Sequence, residues 1–322
     1  MSPSPAPTLT AESQRFRDRL ASAMDAGVLA FPLTPFSDDG ARIEPGAYRD
    51  HLERHIAAGA SALFVACGTG EFPTLGEQEF AELVGIAVDH VAGRVPVLAG
   101  VGYGWAQATR FARIAEDAGV DGALVLPHYL VEAPAAGIVR QVEEIASRTP
   151  LPLVVYQRGL VSFTSDTLRE VATFPNVIGL KDGRSDHGQL QQLVLAAPEG
   201  FLFFNGALTA EMQARAYAAI GISAYSSAAH AFAPEIASAF FRAQKAGDDA
   251  TMDELLREFY IPLVRLRDRQ AGFAVALIKA GARLRGENVG PVRAPLLDPA
   301  GQDLADLEAI TRRGLELVGA SF

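Results

Sequence analysis

The sequence predicts an α/β fold, a (β/α)8 TIM barrel with a C-terminal helical bundle. Three observations lead there. Short runs rich in Val, Leu, Ile and Phe recur eight times, and they lack the polar alternation of a strand with one wet face, so each is buried on both sides. Most are separated by segments with apolar residues at three- and four-residue spacing that end on Gly or Pro. Strand and helix alternating eight times is the pattern of a closed parallel barrel.

The elements follow in order. The proline-rich opening MSPSPAPTLT has no apolar stretch of signal-peptide length, and residues 1 to about 20 read as a loose arm leading into a helix. The strand runs are VLAF (28 to 31), ALFVAC (62 to 67), VPVLAG (95 to 100), GALVLP (122 to 127), LPLVVY (151 to 156), NVIGLKD (176 to 182), FLFFNG (201 to 206) and ISAYSS (222 to 227). Helical spacing marks YRDHLERHIAAG (48 to 59), ATRFARIAEDAG (108 to 119) and AAGIVRQVEEIASR (135 to 148). From about Ala233 to Val318 the pattern reads as purely helical. The expected division is 1–24 for an arm and helix, 25–232 for the barrel and 233–322 for the bundle packed on it.

The 322 residues carry 28 basic and 38 acidic side chains, a formal charge of −10, which disfavours nucleic acid or an anionic membrane as partner. The lone Cys67 leaves no intrachain disulfide and suits a reducing cytosol. The six histidines show no metal-ligand spacing, so no metal is expected. His51 and His55 fall on an amphipathic helix far from the strand ends and read as surface or packing residues.

In such a barrel the chemistry sits where the strands end. The sixth run ends on a charge, Lys181, followed by Asp182 and Gly183. A buried ammonium costs several kcal/mol unless it is paired or neutralised. One reading pairs Lys181 with Asp182 or another carboxylate at the strand end; but side chains alternate, so Asp182 points to the opposite face, and if Val177, Gly179 and Lys181 share the inward face the amine projects into the barrel mouth. Desolvation there favours the free amine, a nucleophile for a carbonyl carbon. Tyr156 ends the neighbouring fifth strand, where it either caps the core or shuttles protons for imine chemistry.

Gly68, Thr69 and Gly70 offer free amides and a hydroxyl to a carboxylate, or form a tight turn. Cys67 reads as a small core residue. Arg158 pairs a substrate carboxylate or a neighbouring acid, Tyr129 extends a proton relay or packs at a subunit contact, and His128 is a loop histidine. Ser226 and Ser227 bind a polyhydroxy chain or finish a strand. The glycines of GVGYGWAQA only approximate a dinucleotide loop, and no acidic residue ends the next strand, so no cofactor is expected.

Taken together, the strand-end series GTGE, Y-x-R and G-x-KDG resembles the dihydrodipicolinate synthase and N-acetylneuraminate lyase superfamily of Schiff-base barrels, over nearly the whole chain after about residue 25. ALFVACGTGEFPTL, ALVLPHYLVEA, GLKDGRSD, AYSSAAHAF and RQAGFAVALIKAGARLRGENVGPVRAPL are similar to its branch of decarboxylating dehydratases for a keto-deoxy sugar diacid. The resemblance implies Lys181 as the imine-forming lysine, Tyr156 as the proton-transfer tyrosine, Thr69 as a relay threonine that also holds the substrate carboxylate, and Tyr129 as a tyrosine completing the relay across a subunit boundary. Gly68 stands where the synthase branch has a second threonine. The stretch YQRGLVS departs from the usual Y-N-R at Gln157, Gly159 and Leu160, which bears on the exact substrate. The family further implies a tetramer built from dimers. The competing expectations are another class I aldolase or lyase for a 2-keto acid, and a non-catalytic sugar-acid-binding barrel.

Overall fold

The computed structural model describes residues 9–322; the first eight residues of the expected arm lie outside the described residues. Helix α1 (Ala11–Ala26) begins well inside the expected loose arm of residues 1 to about 20, because the Thr10 hydroxyl accepts the Ser13 amide and caps the helix there. It crosses the side of the barrel where the strands begin. Thr10 N donates to Pro175 O, Arg19 pairs with Asp121 at 2.6 Å, and Phe16 lies so close to Gly122 that a Cβ there would stand 2.8 Å from its ring.

Eight parallel strands follow: β1 (Val28–Ala30), β2 (Ala60–Val65), β3 (Val97–Val101), β4 (Gly122–Val125), β5 (Leu153–Gln157), β6 (Val177–Asp182), β7 (Leu202–Asn205) and β8 (Ser226–Ser227). They pair in the order β7-β6-β5-β4-β3-β2-β1-β8. Closure rests on a single parallel bridge between Asn205 and Tyr225 and on Asn205 N donating to Ala224 O at 2.9 Å. Between successive strands lie α2 (Pro45–Ala57), α3 (Glu77–Val91), α4 (Trp105–Ala118), α5 (Ala135–Ala146), α6 (Ser165–Val171), α7 (His187–Ala196) and α8 (Ala214–Ala219). The chain ends in α9 (Pro234–Ala246), α10 (Asp249–Leu255), a π-helical turn (Leu256–Tyr260), α11 (Ile261–Arg267), α12 (Phe273–Leu284) and α13 (Gln302–Leu317). One apolar core fills the barrel and its helix ring, and a second, around Phe232, Phe240, Phe259 and Tyr260, joins the last helices to it.

Three further expectations are corrected. The eighth strand shrinks from 222–227 to two residues, because Ile222, Ala224 and Tyr225 are buried as packing residues with little ladder of their own. The stretch 233–318 is not continuously helical: residues 285–301, with Gly286, Pro291, Pro295 and Pro299, form an irregular segment that returns to the barrel. Phe36 N there donates to Val289 O, and Arg293 grips Glu79 through both terminal nitrogens. Finally, of the two readings for His51 and His55, packing holds and surface does not, and His51 lies near a strand end instead of far from one. Its Nε2 accepts from Leu33 N, just past β1, its Nδ1 meets Glu287 at 2.6 Å, and His55 stacks on His230.

Candidate active site

Lys181 and Tyr156 are register partners across β5 and β6, and Phe204 of β7 is the next in line. Equal register puts the three side chains on one face, here the barrel interior. Lys181 Nζ lies 3.8 Å from the centre of the Phe31 ring, 4.6 Å from that of Tyr156 and 5.8 Å from that of Phe204. Phe31 stacks on Phe64 at 4.8 Å, completing an aromatic floor. Among the described residues Lys181 has no ion-pair partner within 4.0 Å. Asp182 turns outward, accepting from Gln157 Nε2 at 2.6 Å and from the Tyr217 hydroxyl. Burial therefore acts on the amine with no carboxylate to oppose it, and the Arg158 charge adds to the effect. Its pKa falls from 10.5 to about 7.

Two glycines make room for this pair. A Cβ on Gly206 would stand 2.2 Å from Lys181 Cε, and one on Gly183 would stand 2.8 Å from the Tyr156 hydroxyl. The sequence shows both, in NG after the seventh run and KDG after the sixth, but the reason for them appears only in three dimensions. The Tyr156 hydroxyl donates to Gly206 O at 3.3 Å and accepts from Arg158 Nη1 at 3.2 Å. Burial raises its pKa, with Arg158 opposing.

A cavity of about 360 Å³ opens above the amine. Lys181, Tyr156, Gly68, Thr69, Arg158 and Ser226 all line it, together with Arg267 and apolar residues of α11 and α12. Gly70 does not: it packs under the loop, its carbonyl accepting the Thr34 hydroxyl at 2.6 Å. Ser227 faces away and donates to the buried Glu211. Tyr129 stands outside, 71% exposed, its ring 6.2 Å from that of the cavity residue Tyr103. His128 lies in the loop after β4, half-buried. The Cys67 thiol is buried and pushed up to about 12, which leaves it inert.

The departure at YQRGLVS faces away from the cavity. Gln157 is fully buried between Asp182 and the Phe163 amide, Leu160 is exposed, and only Arg158 of residues 157 to 160 reaches the lining. The first two glycines of GVGYG have a packing explanation, since a Cβ on Gly100 would stand 2.6 Å from Ala66 O and one on Gly102 3.0 Å from Leu126 Cβ. Glu71, the last residue of GTGE, is buried and accepts from Lys279 Nζ at 2.7 Å and Arg293 N at 2.8 Å. It ties the loop carrying Thr69 to α12 and the irregular segment after it. Those partners are 208 and 222 residues away, beyond any local signal.

Known proteins resemble this chain over nearly its whole length. A protein of Streptomyces avermitilis described as "Probable 5-dehydro-4-deoxyglucarate dehydratase 2" is 61% identical over 305 residues, spanning 95% of this chain and 92% of its own. The Streptomyces coelicolor protein of the same description is 60% identical, spanning 94% of each. Among solved structures, 4-hydroxy-tetrahydrodipicolinate synthase of Methylacidiphilum fumariolicum SolV aligns with a TM-score of 0.82 at 27% identity, over 91% of this chain and 97% of that one. The family model described as "Dihydrodipicolinate synthetase family" matches residues 24–313. An unpaired lysine beside a tyrosine at the mouth of this barrel thus stands within a match covering nearly the whole sequence, and the chain belongs to the dihydrodipicolinate synthetase family.

Proposed function

We propose that the chain is a Schiff-base-forming dehydratase that converts 5-dehydro-4-deoxy-D-glucarate to 2,5-dioxopentanoate, CO2 and water. The observation that carries this is a buried, unpaired amine, part-deprotonated at neutral pH, aimed into a cavity next to a phenol. The names of the Streptomyces relatives supply the substrate.

Lys181 attacks the ketone carbon, and loss of the ketone oxygen as water leaves an iminium. The iminium draws electrons from the adjacent methylene, whose proton leaves to a base. Tyr156 delivers a proton to the β-hydroxyl, which departs as the water of dehydration. The double bond so formed is conjugated to the iminium. When the distal C–C bond breaks, its electron pair moves through that system to nitrogen, releasing CO2. Protonation at the carbon next to the imine, ketonisation of the enol left by CO2 loss to an aldehyde, and hydrolysis by one water return the amine and free the keto acid with its terminal aldehyde. Arg158 keeps the phenol aimed inward, and Thr69 with the amides near it receives the carboxylate beside the ketone. The lysine supplies the electron sink, so neither metal nor organic cofactor enters the scheme.

The exposed run Tyr129, Leu130 and Val131 supports a homo-oligomer, and in this reading Tyr129 completes the relay of a neighbouring subunit. The reading includes a cytosolic enzyme of sugar-diacid breakdown, in keeping with its single reduced cysteine. No helix among the described residues is long and apolar enough to cross a membrane. Incubation with 5-dehydro-4-deoxy-D-glucarate is expected to yield one CO2 per substrate, and borohydride during turnover should add substrate-derived mass to the Lys181 peptide. Absence of both CO2 and adduct would refute the assignment.

A further inference from the structure

The cavity lining contains three cations, Lys181, Arg158 and Arg267, and no aspartate, glutamate or histidine. In a chain of net charge −10, such a lining suits a ligand with more than one negative charge. Two of the cations have local work: Lys181 is the nucleophile and Arg158 donates to the Tyr156 hydroxyl. Arg267 comes from the bundle, at the end of α11. Its side chain is only 17% exposed, and it is fixed at two points. Nε pairs with Asp268 at 2.8 Å, and Nη1 donates to Thr209 Oγ1 at 2.9 Å.

Thr209 is itself unusual. It has φ 53° and ψ 68°, in the left-handed region that a β-branched residue rarely enters. The turn that follows uses its carbonyl, which accepts from Met212 N. A glycine would serve that turn without strain, so what threonine adds is the hydroxyl on Arg267.

The spacing fits the substrate. Gly206 lies against the Lys181 stem, and only three residues later the chain reaches Thr209. Three residues span at most about 11 Å. Four C–C bonds separate the ketone carbon from the distal carboxyl carbon of a six-carbon keto diacid, about 5 Å in extended form. With an imine bond at one end and a charge-assisted hydrogen bond of about 2.8 Å at the other, the diacid's reach stays within that upper limit. Building on the diacid reading above, we infer that Arg267, held by Thr209 and Asp268, is the specificity residue that binds the distal carboxylate of the substrate. That carboxylate is the group lost as CO2. Decarboxylation thus removes Arg267's ligand, and the keto-aldehyde product is held less tightly than the substrate that preceded it.

The test uses two six-carbon probes that can form the imine but cannot eliminate water, 2-oxoadipate with the distal carboxylate and 2-oxohexanoate without it. Borohydride trapping on the wild-type enzyme should half-saturate at a 10-fold or lower concentration of 2-oxoadipate. In Arg267→Gln the ratio should fall to near one, because the diacid's half-saturation rises to meet the monoacid's, and Arg267→Lys should restore part of it. Equal half-saturation in the wild type overturns the inference while leaving the imine reading intact; no trapping of either probe overturns the imine reading itself. A ratio that survives Arg267→Gln but disappears in Arg158→Gln assigns the distal site to Arg158 and also overturns it. If Arg267→Gln does not fold, the wild-type ratio and Thr209→Val decide, the latter expected to shrink the ratio about 3-fold and to refute the anchor if it leaves it unchanged.

Discussion

Two lysines of this protein are buried to nearly the same degree and have opposite surroundings. Lys181, on β6, faces aromatic rings and a cavity. Lys279, on α12, lies 2.7 Å from Glu71, and neither side chain of that pair exceeds 1% exposure. Burial lowers both: Lys279 reaches about 8, held up by Glu71, whereas Lys181 reaches about 7 with no acid beside it. Burial by itself does not make a lysine reactive. The difference lies in what faces the nitrogen and whether a ligand can get to it: Lys279 is enclosed, while Lys181 opens onto some 360 Å³ of space.

The largest effect that would sharpen this contrast is on turnover. Lys181→Ala should lower kcat at least about 10⁴-fold, since the covalent route is lost. A variant retaining near-normal CO2 release would erase the distinction between the two lysines. Tyr156→Phe should lower kcat about 10²–10⁴-fold while imine trapping persists, the signature of a lost proton donor. Lys279→Met acts on stability instead. It strands Glu71 in the interior and should cost about 3–5 kcal/mol in denaturant unfolding, with much of that recovered in Glu71→Gln/Lys279→Met. A loss below about 1 kcal/mol would show that the pair is not the clamp described here.

The smallest effects concern pH. If only the free amine attacks, kcat/KM should rise through an acid limb near pH 7. The same shift fixes a stability window. The folded chain releases the Lys181 proton at about 7 and the unfolded chain at 10.5, so the unfolded state binds more protons between those values and stability rises with pH there. The penalty is complete below about 7 and vanishes above 10.5. Lys181→Met should therefore stabilise the protein by an amount on the order of a few kcal/mol near pH 6, and by almost nothing near pH 11.

The barrel was legible because a buried parallel strand must be apolar on both faces, which leaves an uninterrupted run such as LPLVVY or NVIGLKD. Lys181 and Tyr156 stood out because each breaks such a run at its end. β8 was overestimated because ISAYSS has strand composition, yet its residues are buried by packing more than by pairing. The irregular 285–301 segment carried its own signals, three glycines and three prolines, but α12 and α13 on either side masked them. Arg267 was out of reach: helical periodicity shows that α11 has a buried face, not that this face meets a barrel mouth. The histidine cluster was equally hidden, since His51, His55, His230 and Glu287 come together only when α2, the loop after β8 and the C-terminal segment converge.

Arg293 gives the fold a timetable. Besides gripping Glu79, it holds Gly40 O and Thr74 O, and its amide reaches Glu71 across 222 residues of chain. At about 5–20 residues per second, a ribosome needs on the order of ten seconds or more to deliver this fastener after Glu71 has been made. A nascent chain with all eight staves, its nucleophile and its phenol still has an unlatched Thr69 loop. Competence thus arrives near the end of translation, and a product cut short before residue 293 would be a barrel without a finished rim.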